Sequence, residues 1–248
     1  MSKWTDIIYT KSPVWVQNLG ITLYGMMWKE RRFGGVFPSA LKEARARESW
    51  GSDQWKDYQT EKLRGLLIHA FKSVPAYKEV YSERRLDEVF FSQLLLTDLP
   101  KLPILEKEVL RKSPLSFISS DCSQRKLHCY NTSGTTGTPL AIYLSSYGHQ
   151  EMSAYYEARV RNWAGVNYRQ RRAMIGGRLV VPRGVSPPPY WRKNWAECQL
   201  YMSAFHISSQ TARLYADALK EWKPDYLVGY ASSWFFLSRF IVEQNLKT

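Results

Sequence analysis

The chain has 248 residues, 44% hydrophobic and 15% aromatic, with 35 Lys and Arg against 22 Asp and Glu, a net charge of +13. A chain this long buries roughly 70–75% of its unfolded surface, so disorder is excluded and one large or two small globular domains are expected. Cys122, Cys129 and Cys198 are too few for a disulfide framework, and none stands at zinc-site spacing; they read as buried thiols in a reducing, cytoplasmic setting.

Residues 1–10 include Lys3 and Asp6 and lack the apolar run of a secretory signal. The uncharged stretch from Ser12 to Trp28 is interrupted by Gln17, Asn18, Gly20 and Gly25 and falls short of the roughly 20 apolar residues of a spanning helix. Trp15, Leu19, Leu23, Met26 and Met27 form one helical stripe. The expectation is an element docked on a domain, with contact to a membrane surface the alternative.

From Asp53, read as an N-cap, Leu63, Leu66, Leu67, Ala70 and Phe71 recur at the spacing of a helix burying one face, and Pro75 stops it. His69 on this helix reads as structural. Leu94 to Pro103 reads as a packed connection, ILEKEVLRK as a short amphipathic turn, and residues 113–125 as a loop and boundary. The organisation expected is a mostly helical region over 1–125 and an α/β portion over 126–248.

The second portion opens with a hairpin: strands over Lys126 to Thr132 and Leu140 to Leu144 around a Gly/Thr-rich turn. His128 on the first strand reads as structural, and His149 as a residue opening the next helix, from about Gln150 to Trp163. Ala173 to Val181 and Gln199 to Phe205 read as strands, Thr211 to Trp222 as a helix, Tyr226 to Val228 as a buried strand and Ser233 to Asn245 as a last helix. Strands alternating with helices imply an α/β fold with a mixed sheet and flanking helices. The four His make no metal set by spacing.

Charge is uneven, with 20 basic and 15 acidic residues over 1–125 but 15 and 7 over 126–248. Ala158 to Ala196 holds nine basic residues and no acidic one, a stretch expected to attract phosphate-bearing partners. No nucleic-acid-binding motif accompanies it, so nucleic acid is not the expected partner. Trp163, Trp191 and Trp195 lie near arginines, a pattern more common at core edges than in stacking platforms.

Thr132 to Pro139 reads TSGTTGTP, five hydroxyl side chains and two glycines in eight residues. Glycine lets backbone N–H groups approach a ligand, and the hydroxyls add donors, so such a turn can wrap phosphate oxygens; a plain polar turn is the alternative. It is not a Walker A loop, since no Lys-Ser/Thr pair follows Gly137. His206, in SAFHIS at a strand end, is either a hydrogen-bonded structural residue or part of a pocket. Gly229, Tyr230, Ser232 and Ser233 sit where a strand turns into a helix, a place for pocket lining or for a serine-capped helix.

TSGTTGTP resembles the phosphate-binding signature of adenylate-forming enzymes. LPILEKEVLR before it, TSGTTGTPLAIYLS, GGRLVVP, YWRKNWAECQLYMSAFHIS and PDYLVGYASS are similar, in order, to the phenylacetate-CoA ligase family and its capsular polysaccharide biosynthesis (CapK-type) branch. The resemblance implies an adenylate-forming fold and a two-step ligase. A carboxylate attacks the α-phosphate of ATP, with Mg²⁺ on the phosphates, and a thiol, usually coenzyme A, then takes the acyl group. Ser133, Thr135, Thr136 and Thr138 would supply hydroxyls, Gly134 and Gly137 backbone amides, and Thr132 and Pro139 the flanks. The family's adenylate-contacting Glu element, its ribose-binding Asp and its C-terminal catalytic lysine have no counterparts before Thr248. The chain therefore reads as the N-terminal part of such a ligase, with no catalytic or metal-binding residue of its own assigned, inactive alone, with a separate C-terminal half as a candidate partner. A non-catalytic interaction module is the alternative.

Overall fold

The computed structural model describes residues 9–132, 139–182 and 187–247. In chain order the elements are α1 (Val14–Phe33), α2 (Phe37–Ala46), α3 (Ser52–Ser73), α4 (Pro75–Glu83), α5 (Glu88–Gln93), α6 (Lys107–Lys112), β1 (Leu127–Asn131), β2 (Ala141–Ser145), α7 (Ser146–Tyr156), β3 (Arg172–Gly176), β4 (Trp191–Asn194), β5 (Gln199–Ser203), α8 (Ala212–Trp222), β6 (Tyr226–Gly229) and α9 (Ala231–Glu243). The fold is α/β. The chain forms two compact units, one from Met1–Pro38 with Ser153–Thr248, the other from Ser39–Met152.

The contiguous unit is helical apart from one hairpin. Helix α3 begins two residues earlier than expected: Gly51 rather than Asp53 is the cap, and its N–H donates to the Gln54 side chain at 3.0 Å. Asp53 therefore lies inside the first turn, where its charge suits the helix dipole. Leu67 and Ala70 are buried with Tyr81, Phe91 and Leu94, and Leu63 and Phe71 pack beside them. Leu66, expected on the same face, is 64% exposed. Pro75 ends α3 as expected and then serves as the first residue of α4, where its missing N–H costs nothing.

The discontinuous unit is built on a four-stranded mixed sheet in the order β4-β5-β3-β6. Strands β5, β3 and β6 run parallel, and β4 is antiparallel to β5 along the edge. Ala173, Ile175, Leu200 and Met202 of the central strands pack on Tyr215 and Leu219 of α8 and Leu237 of α9. The indoles of Trp222 and Trp234 donate to the carbonyls of Arg172 and Val228 at 3.1 and 2.9 Å, pinning both helices to the sheet.

Three expectations are corrected here. Strand β3 stops at Gly176 instead of reaching Val181, because the paired glycines Gly176 and Gly177 give a strand no side chain to pack. The helix expected over 150–163 starts at Ser146 and widens into a π-helical turn over Glu157–Arg161. There the buried Glu157 carboxylate accepts from Arg161, Asn162 and the Tyr168 N–H at 2.8, 3.2 and 2.9 Å. Strand β6, expected to be buried, is not, with Leu227 52% exposed. Trp191 and Arg192 belong to strand β4, and the buried Arg192 guanidinium donates to Gln17 at 2.6 Å and to Pro189 O at 2.7 Å, so this pair is structural, as the core-edge reading expects.

The stripe of α1 is the fourth correction. Trp15, Leu19, Leu23, Met26 and Met27 are 47–68% exposed, while the buried residues of the helix are Gln17 and Gly25. The polar side docks instead, and it docks on β4. Gln17 meets Arg192, Asn18 Oδ1 accepts from Lys193 N at 2.9 Å, and Thr22 Oγ1 accepts from Trp195 N at 3.3 Å. Gly25 lies so close to Asn194 that a β-carbon would overlap its amide.

Candidate functional site

In the contiguous unit, β1 and β2 pair antiparallel from Leu127↔Ser145 to Asn131↔Ala141. One further rung closes the mouth of the hairpin. Thr132 N donates to Leu140 O, and Leu140 N donates to Thr132 Oγ1, both at 3.0 Å. The Thr132 hydroxyl thus holds the two strands together, and Thr132 and Pro139 are both exposed at the turn. Ser133, Gly134, Thr135, Thr136, Gly137 and Thr138 lie outside the described residues.

The hairpin is fastened to α7 at two points. His149 Nδ1 and the Tyr130 hydroxyl are 3.1 Å apart with their rings edge to face, and His128 Nε2 lies 3.1 Å from Ser146 Oγ. Ser145 Oγ accepts from Gly148 N at 3.0 Å, tying the end of β2 to the helix start. His149 therefore positions the strand that leads into the turn. Behind the hairpin lies an apolar cavity of about 560 Å³, lined by residues including Leu66, Tyr77, Phe117 and Ile142. His69 borders it, half-exposed, with Nδ1 3.8 Å from Asp121. Cys122 and Cys129 are exposed and Cys198 is half-buried, all three unbonded, which corrects the expectation of buried thiols.

In the discontinuous unit, the carboxyl ends of the parallel strands carry the other candidates, as open α/β sheets place their ligand crevices. His206 follows β5 in a tight 3₁₀ turn; its Nδ1 lies 2.8 Å from Ser203 Oγ, and its ring stacks on Tyr190 at 4.8 Å. Tyr215, buried beneath, donates to Ser203 O at 2.7 Å, and burial raises its phenol pKa. Across β3, Gly229 has φ +131°, and a β-carbon there would overlap the Ile175 carbonyl oxygen, which accepts from Tyr230 N at 2.9 Å. The exposed Tyr230 side chain reaches over Gly177, whose β-carbon would come 2.7 Å from its hydroxyl.

Helix α9 is capped at Tyr230 without a side-chain bond. Ser232 and Ser233 therefore sit inside its first turn rather than capping it, and Ser232 is exposed. The sheet thus brings Ser203, His206 and Tyr190 together on one side of β3, and Gly177, Gly229 and Tyr230 on the other. These groups offer a flat aromatic surface, hydroxyls and bare backbone. Sequence reasoning missed Tyr190, which carries no local signal, and read Gly176-Gly177 as strand although a glycine pair at a strand end marks close backbone approach.

The basic stretch is less available to a ligand than its composition suggests. Glu157 and Glu197, the acids on either side of it, fold back into it. Glu197, 1% exposed at its side chain, takes ion pairs from Arg32 and from Arg172 at 3.4 Å, and a bond from Asn194 at 2.9 Å. Lys193 pairs with Glu221 at 2.7 Å, and Arg178 lies over the rings of Tyr24 and Tyr201. Among the described residues no cluster of three His, Cys, Asp or Glu could hold a metal ion.

In sequence the chain is similar to CapK and to phenylacetate-coenzyme A ligases. Protein CapK of Staphylococcus aureus is 25% identical over 242 residues, 98% of this chain and 51% of CapK. The phenylacetate-coenzyme A ligases of Escherichia coli and Pseudomonas putida are 28% and 29% identical over 130 and 133 residues, about half of this chain and 26–27% of each ligase. The chain spans about half the length of CapK. No family model matches it.

Proposed function

We propose that the chain is the nucleotide-binding portion of an ATP-dependent carboxylate-CoA ligase of the adenylate-forming type, acting in the cytoplasm in polysaccharide biosynthesis. The observation that carries this reading is the TSGTTGTP sequence between two strands joined by the reciprocal Thr132–Leu140 pair, in a chain similar to phenylacetate-coenzyme A ligases. The residues suit a nucleotide. Short hydroxyl side chains and glycine amides can surround phosphate oxygens without adding charge, and each bond to a charged oxygen contributes on the order of 1.5–3 kcal/mol.

ATP with Mg²⁺ would supply a phosphorus open to carboxylate attack and pyrophosphate as the leaving group. The part of this chain is binding and orientation. Ser133, Thr135, Thr136 and Thr138 donate hydroxyls, Gly134 and Gly137 expose amides, and Thr132, Pro139 and the Tyr130–His149 contact hold the turn's base in place. Ser203, His206, Gly229, Tyr230 and Ser232, at the strand ends of the discontinuous unit, are assigned separately to the binding of a small carboxylate. Coenzyme A is the acceptor in this reading by analogy with the ligase relatives.

Titration of the chain with a fluorescent ATP analogue and Mg²⁺ tests the reading. Gly134→Val with Gly137→Val, which fills the turn with β-branched side chains, is expected to weaken binding at least tenfold while leaving the circular dichroism spectrum unchanged. Equal binding by both proteins, or none by either, refutes it.

A further inference from the structure

Helix α1 is amphipathic in the wrong sense for a helix packed on its own domain. Trp15, Leu19, Leu23, Met26 and Met27 recur at i, i+4, i+8, i+11 and i+12, an arc of roughly 120°, and every one of them is exposed, Trp15 at 68% and Met27 at 63%. The opposite, polar side is committed to β4 through Gln17, Asn18, Thr22 and Gly25. Rotation of the helix to hide the apolar arc would break these contacts and strand the buried Arg192 without Gln17. The arrangement is therefore fixed by the unit's own hydrogen bonds, and the apolar arc faces outward as a consequence.

The borders of the arc are basic. Exposed Lys29 falls along one edge by helical position, Arg31 falls along the other beside Tyr24, and exposed Lys11 precedes the helix. The Arg178 guanidinium lies 5.0 Å from the Tyr24 ring, adding a second cation to that edge, and Leu179 next to it is 53% exposed. Glu30, exposed, falls within the arc by helical position one turn beyond Met26 and Met27, and its carboxylate folds back against the Gly34 backbone at the end of the helix. The charge of the unit agrees. Its sequence holds 19 of the 35 Lys and Arg but only 8 of the 22 Asp and Glu, so +11 of the net +13 belongs to it.

We infer that α1 is an interfacial helix that seats its Trp-Leu-Met arc in the headgroup region of an anionic bilayer, lying along the surface. No helix among the described residues is long and apolar enough to cross a membrane. A Trp and long aliphatic side chains flanked by Lys and Arg are what surface-lying helices use, the apolar part entering the acyl boundary and the cations meeting lipid phosphates. A second protein would satisfy the apolar arc equally, but the positive borders and the unit's +11 charge favour a uniformly anionic surface. The inference stands on the discontinuous unit alone and does not depend on the nucleotide reading.

Flotation with phosphatidylcholine vesicles containing or lacking 30% phosphatidylglycerol tests it on the full chain. The expected result is binding to the anionic vesicles with at least tenfold preference over neutral ones, and a further loss in high salt. Leu19→Glu with Leu23→Glu, and separately Lys29→Glu with Arg31→Glu, should each reduce binding at least tenfold. Trp163→Glu, at an exposed site on the same unit (70%), should leave it unchanged and shows that any loss is not general. Failure of the wild type to prefer anionic vesicles, or full binding by the Leu19/Leu23 variant, overturns the inference. So does a concentration-dependent dimer that the Leu19/Leu23 variant abolishes while vesicle binding is absent, since the arc is then a protein interface.

Discussion

Replacing Glu197 with Gln removes one negative charge from a buried acid that takes two ion pairs, while keeping its shape. The carboxylate is 1% exposed and holds Arg32, the 3%-exposed Arg172 and Asn194. Burial, followed by the neighbouring charge of Arg172, already draws the Arg32 guanidinium down to about 10, so these cations depend on a compensating charge. Breaking a buried pair from one side costs about 3–5 kcal/mol. The Gln carbonyl can still accept one bond, which places the expected loss near about 3 kcal/mol. For a chain of this size that is a fall in Tm of roughly 6–12 °C, read by circular dichroism and by the urea midpoint. The exposed Lys193–Glu221 pair is the internal control: Glu221→Gln should lose under about 1 kcal/mol and should converge on wild type at high salt, whereas the Glu197 effect should persist because buried pairs are weakly screened. A Glu197→Gln protein within about 1 kcal/mol of wild type refutes the view that this carboxylate neutralises the basic stretch.

Gly229→Ala tests the close crossing of β6 and β3. With φ +131° and the Ile175 carbonyl in the way, at least about 2 kcal/mol should be lost, together with any ligand binding at the strand ends; unchanged urea unfolding counts against the crossing. On α3, Leu67→Ala should cost about 2–5 kcal/mol, while Leu66→Ser, one residue away and exposed, should stay within about 0.5 kcal/mol. The reverse order of these two midpoints would mean that the helix is rotated from the face described.

The elements whose sequence period matched their burial were legible in advance. The hairpin over 127–145, α8 and β6 fall where alternation and 3.6-residue spacing put them, and α8 buries a regular apolar face. The failures share a cause. Helix α1 and strand β4 bind each other through Gln17, Asn18, Arg192 and Lys193, and polar docking leaves no hydrophobic period to detect. The basic stretch misled for a related reason, since Glu157 and Glu197 lie just outside it in sequence and return only in space. Of the candidate site, Thr132, His206, Gly229 and Tyr230 could be picked out by residue type at strand ends. Tyr190, which stacks on His206 only because β4 and β5 are antiparallel neighbours, could not.

The docking of α1 also sets a schedule. Its hydrogen bonds to Arg192, Lys193 and Trp195 span 173–175 positions along the chain, whereas the helical unit with the hairpin is contiguous from Ser39 to Met152. At ribosomal rates of about 5–20 residues per second, roughly 10–35 s separate synthesis of the helix from synthesis of the strand that receives it. Helix α1 is thus made long before the strand that receives it, and the intervening unit is free to fold first as an insertion. A pause in translation before Trp191 lengthens the life of an undocked α1, making that segment of the message a control point for how much of the protein reaches its finished form.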